Sequence, residues 1–167
     1  MSFRINALLL LVVLVASALA RAEVKLGDVF PAMSGLTPLS GREAPSLKAR
    51  VVLVDFWASW CAPCKASFPA MAKLYAEYRP RGLQIVAVGI DENPAQATAF
   101  WKKMAPPFPG LHDHDQSLVR QVLVPTMPTS YLLDGAGRVR FRHEGFRGAA
   151  SERELRQHIE ALLAESR

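Results

Sequence analysis

The run Val51-Val52-Leu53-Val54-Asp55-Phe56-Trp57 limits what this chain can fold into more than any other stretch of it. It is β-branched and aromatic without alternation, the pattern of a strand buried on both faces in a sheet covered by helices. Leu83 to Val88 repeats that pattern. Between the two, Phe68, Met71, Ala72, Leu74, Tyr75 and Tyr78 recur at helical spacing over Cys61 to Tyr78, with Pro69 expected to kink the helix and Pro80 and Gly82 to close it. Pro94 to Met104 reads as a second helix carrying Phe100 and Trp101.

The remaining elements follow from breakers and periodicity. Pro106 to Gly110 is irregular, and a short helix is expected from Asp115 to Leu123. Thr129 to Leu133 and Arg138 to His143 pair as a hairpin about the turn cluster Asp134 to Gly137. Ser151, with Glu154 three residues on, caps a last helix whose apolar stripe is Leu155, Ile159, Leu162 and Leu163. Leu26 to Pro31 and the Gly- and Pro-punctuated stretch to Pro45 form a leader of short strands and turns. The sum is an α/β layer sandwich with a mixed parallel and antiparallel sheet.

Arg4 followed by the apolar run Ala7 to Ala16 and then small residues reads as a secretory signal, with cleavage after Ala20 or Ala22. The division is residues 1–22 signal and 23–167 domain. An uncleaved membrane anchor is the alternative, but the run is shorter than the roughly 20 residues that span a bilayer. Export implies an oxidising compartment. Formal charge is +5, or +3 without Arg4 and Arg21, too mild to indicate nucleic acid. Arg138, Arg140 and Arg142 alternate and would share one face of a strand, either a solvated face or one that attracts an acidic partner. No heptad or exposed apolar face stands out, which leaves a monomer as the expectation.

The chain has two cysteines, Cys61 and Cys64, where the first buried strand hands over to its helix. That is the carboxyl end of a strand, the usual place for a site in such sheets. A disulfide across two residues restrains little of the unfolded chain, so chemistry explains the pair better than stability. A cysteine at the first helical turn meets backbone N–H groups and the positive end of the helix dipole, which favour the thiolate. Cys61 is therefore the expected nucleophile, Cys64 the resolving thiol, and Pro63 a restraint on the ring between them. Closed zinc sites want four ligands, and there is no third cysteine. His112, His114 and the aspartates beside them are candidate metal ligands by composition, although a solvated loop is the plainer reading.

Trp57-Ala58-Ser59-Trp60-Cys61-Ala62-Pro63-Cys64-Lys65 resembles the active-site signature of the thioredoxin superfamily, in particular its exported TlpA-like, ResA-like and DsbE-like branch. The likeness extends over Gly27 to Pro31, Asp55 six residues before Cys61, Pro69 five after Cys64, and Val124 to Asp134. It implies a thioredoxin-like three-layer α/β/α sandwich with an N-terminal strand extension, and a periplasmic thiol-disulfide oxidoreductase whose redox group is its own Cys61–Cys64 disulfide, without other cofactor or metal. It further implies exported protein substrates, a DsbD-type membrane reductant as electron source, and a role in redox homeostasis or cytochrome c biogenesis. By the same resemblance Pro128 is the family's cis-proline, with Pro125 as competitor, and Met127 offers its backbone to an extended partner segment. The resemblance also implies that Asp55 is the buried acid that accepts the proton of Cys64, where residue type alone allows a satisfied polar group at a strand end. Trp60, Ala62 and Pro63 flank the pair as partner contacts, and Trp57 packs around the site. Ser67 departs from the glutamate that several cytochrome-maturation members carry at that place. Two alternatives stand beside the reductase: a disulfide oxidase or isomerase, and a copper carrier for oxidase assembly using the cysteines with His112 or His114.

Overall fold

The computed structural model describes residues 23–39 and 49–165, so the signal reading and the end of the leader lie outside the described residues. Among the described residues six strands form one mixed sheet in the order β1-β4-β3-β2-β5-β6. They are β1 (Thr37–Pro38), β2 (Val51–Trp57), β3 (Leu83–Gly89), β4 (Gly110–His112), β5 (Thr129–Asp134) and β6 (Val139–Glu144), and the helices are α1 (Ala62–Tyr78), α2 (Pro94–Met104), α3 (Ser117–Val122) and α4 (Ala149–Glu165). β2 is central, parallel to β3 and antiparallel to β5, and all seven of its residues are buried. β1, antiparallel to β4, is the N-terminal extension at the edge.

Alternation along β2 divides the core. Val51, Leu53 and Trp57 join the helices α1, α2 and α4 on one face, while Val52, Val54 and Phe56 meet α3 and the N-terminal segment around Phe30 and Met33 on the other. Asp55 has the parity of Leu53 and Trp57, so it points to the face that α1 and the cysteines cover. Beneath α1 the Trp57 ring stacks on Phe100 at 4.7 Å and meets Phe68 edge-on at 5.6 Å, with Trp101 and Phe108 completing the cluster. Among the described residues, no helix is long and apolar enough to cross a membrane.

Four expectations are corrected. Gly110 opens a strand instead of ending a loop: the Trp101 ring lies 2.4 Å from where a Cβ on Gly110 would sit, so the glycine admits the ring against β4. α3 starts at Ser117, two residues late, because Asp113 reaches forward to accept the Leu118 and Val119 N–H groups and the Ser117 hydroxyl. α4 starts two residues before Ser151, whose hydroxyl instead accepts the Arg147 N–H at 2.9 Å, so no capping box forms with Glu154. Arg138, Arg140 and Arg142 do not share a face: Arg138 precedes β6, and a bulge pairs Leu132 with Phe141 and Leu133 with Val139, leaving Arg140 as the extra residue. Arg140 pairs with Glu165, Arg142 with Glu23 and Glu144, and Arg138 donates to the Gly27 carbonyl.

Candidate active site

Cys61 is the N-cap of α1. Its backbone is extended, φ −84° and ψ 107°, its carbonyl accepts the first helical bond from Lys65 at 3.2 Å, and its Sγ accepts the Cys64 N–H at 3.1 Å. Sulfur thus stands where serine or aspartate oxygen caps other helices, receiving an N–H that the helix cannot use internally. Ala62 and Pro63 occupy the first turn, where a missing proline N–H costs nothing. The two sulfurs are bonded, 2.03 Å apart. Cys64 is fully buried, Cys61 keeps 5% of its surface, and exposed Ala62 and Pro63 lie between them.

Trp57 and both cysteines share one core cluster, Met127 packs against it, and Asp55 lies on the same face of the sheet. Trp60, next to Cys61, is 65% exposed, while Trp57 is wholly buried. The peptide Met127–Pro128 is cis, so of the two candidate prolines Pro128 carries that bond, and the register Phe56 to Thr129 sets it opposite the end of β2. Met127 is half-buried against the core cluster that contains both cysteines. Asp55 is 1% exposed and accepts the Ser130 hydroxyl at 2.6 Å. Burial pushes its carboxyl up from 3.8 to about 7, and the Ser130 bond opposes that rise. Ser67 is buried one turn beyond Cys64 and donates to the Cys64 carbonyl at 2.9 Å.

The histidine loop is reassigned. His112 lies in β4, buried, with Nε2 2.7 Å from the Asp91 carbonyl, and Asp113 is committed to α3, while His114 and Asp115 are exposed. Two of the four candidate ligands therefore serve the fold, which weakens the copper-carrier alternative.

Asp91 is the residue that the sequence reading missed. It is 1% exposed at the end of β3, and its carboxylate accepts the Ser59 N–H at 3.0 Å and the Ser59 hydroxyl at 2.5 Å, holding the loop two residues before Cys61. Its only sequence signal is an acid just after a buried strand. Replacing Asp91 with alanine leaves those Ser59 donors unpaired and is expected to lower stability by about 1–3 kcal/mol, measured by urea unfolding of the oxidised protein. An unchanged midpoint contradicts this role.

A cysteine pair at the N-terminus of a helix, at the carboxyl end of the central strand of a helix-covered mixed sheet, defines a thioredoxin-fold protein of the thiol-disulfide class. The redoxin family profile matches residues 25–159, and the chain belongs to that family. It is similar to the thiol-disulfide oxidoreductase ResA of Oceanobacillus iheyensis, 32% identical over 148 residues that cover 82% of this chain and 77% of the relative. It is also similar to ResA of Bacillus subtilis, 35% identical over 97 residues, 58% of this chain and 54% of that one; the chain thus spans about half the length of that relative. Among solved structures, a Chlorobium tepidum protein assigned as thiol:disulfide interchange protein DsbE superposes with a TM-score of 0.75 at 36% identity, covering 84% of this chain and 99% of that one. StoA of Bacillus subtilis gives a TM-score of 0.63 at 26% identity, covering 76% and 98%.

Proposed function

We propose that this chain is an exported, periplasmic protein-disulfide reductase that acts as a monomer through Cys61 and Cys64. The observation that carries this is the Cys64 N–H donating to Cys61 Sγ at the start of α1, since in the reduced protein the same donor and the helix dipole face a thiolate. Cys61 attacks one sulfur of a partner disulfide, forming a mixed disulfide and releasing the partner's other sulfur as thiolate. Cys64 then loses its proton to Asp55 and attacks Cys61, which completes a two-electron reduction of the partner and leaves the Cys61–Cys64 disulfide.

Asp55 suits the second step because a carboxyl near 7 is partly ionised at neutral pH and lies on the face of the sheet that carries Cys64. Exposed Trp60 beside Cys61, with Ala62 and Pro63, supports contact with a partner, and Met127 before Pro128 offers backbone to an extended segment of it. The electron source in this reading is a DsbD-type membrane reductant, and the substrates are disulfides of exported proteins. The dithiol is the redox group.

A redox titration of the pair against glutathione tests the direction of electron flow. A reductase is expected at or below about −200 mV, whereas a value near −120 mV, typical of a strong oxidant, overturns the direction proposed here.

A further inference from the structure

Far along the chain from the cysteines, β6 and α4 bring three ligand-type side chains to one spot. Glu154 and His158 are four residues apart on α4 and so share a face, and His143 on β6 meets them. One nitrogen from each ring and one oxygen of Glu154 lie within 4.8 Å of one another. His158 Nδ1 is 3.1 Å from His143 Nε2, and Glu154 Oε1 is 3.8 Å from His143 Nδ1. The side chain of His143 is only 6% exposed, that of Glu154 is 47% exposed, and the Phe141 ring stacks on His158 at 3.8 Å. An open cleft of about 230 Å³, bordered by His143, Gly145, Arg147, Ser151 and Glu154, opens His143 and Glu154 to solvent.

We infer that His143, Glu154 and His158 form a binding site for a divalent transition-metal ion, built without either cysteine and bridging β6 to α4. Two imidazoles and a carboxylate are a donor set suited to zinc and its neighbours, with a fourth position left to water. Around tetrahedral zinc, metal–nitrogen bonds of about 2.0–2.1 Å set two ligating nitrogens roughly 3.4 Å apart, a few tenths more than the present ring-to-ring spacing. Glu154 Oε1 now faces the other nitrogen of His143, Nδ1, so its exposed carboxylate has to rotate toward the Nε2 side to complete the set. Arg147 is the competing cation, 3.9 Å from the other carboxylate oxygen, Oε2. A single-oxygen bond through Oε1 lets that contact persist and orient the carboxylate.

The test is calorimetric titration of Zn²⁺ into the oxidised full-length chain, where the Cys61–Cys64 disulfide removes both thiols as ligands, with the melting temperature as a second readout. One equivalent is expected to bind and to raise the melting temperature, because the ion links two elements of the folded chain. Glu154→Gln and His158→Gln each weaken binding at least about tenfold and abolish the thermal gain, while His114→Gln changes neither. Glu154 is a surface residue, so its variant folds, which circular dichroism verifies. The proposal is overturned if the wild-type chain shows no saturable binding, or if the Glu154→Gln and His158→Gln variants bind zinc as it does.

Discussion

Cys61→Ser is expected to lose more than about a thousandfold of the disulfide-reduction rate, measured with insulin and a chemical reductant, because a serine hydroxyl is not ionised under conditions where a helix-terminal thiol is. Cys64→Ser is expected to behave differently. Its Cys61 still attacks and should accumulate as a mixed disulfide with the substrate, since the group that would release it is gone. The asymmetry follows from the geometry: Cys61 is the helix cap and keeps some exposure, while Cys64 is sealed beneath it. Accumulation of the mixed disulfide in Cys61→Ser instead would reverse the assignment of roles.

Asp55→Asn is expected to slow release of the mixed disulfide about a hundredfold, the usual contribution of a positioned base, with little change in the first attack. Stopped-flow kinetics separate the two phases, and equal slowing of both contradicts the proton-transfer role. The same substitution should stabilise the protein. Folded Asp55 titrates near 7 and an unfolded one near 3.8, so between these values the folded chain binds more protons than the unfolded chain. Stability therefore falls as pH rises through that window, and the penalty, about 4 kcal/mol, is complete above pH 7 and absent below pH 3.8. Asp55→Asn removes that slope and is expected to melt roughly 10 °C higher at pH 8, with no such gain at pH 3.5. A stability cost at the residue that the proposed chemistry uses is the pattern of a functional acid.

The elements legible in the sequence are those that a local pattern determines. β2 and β3 are apolar runs broken by Asp55 and Gln84 alone, α2 is bounded by Asn93 and Pro94 at its start, and the cysteine pair declares itself by spacing. What could not be read depends on residues that meet only in three dimensions. Gly110 sits among prolines and looks like loop, yet the Trp101 ring makes it the start of a strand. A bulge at Arg140 leaves no trace in the alternation of β6. Asp91 and Ser59 are 32 residues apart, and His143 joins Glu154 and His158 only once β6 packs on α4. The depth of Asp55 was foreseen from resemblance, but its hydroxyl partner Ser130 comes from the register of β2 with β5.

The pH dependence of iodoacetamide alkylation of the fully reduced protein tests the account most directly, because it reads thiolate availability at each sulfur separately. Cys61 is expected to react with a midpoint near 7 or lower, against about 8.5 for an unperturbed thiol, while Cys64 stays protected throughout that range. If both cysteines were alkylated at equal rates with midpoints near 8.5, the helix-capped thiolate on which the proposed exchange depends would not exist.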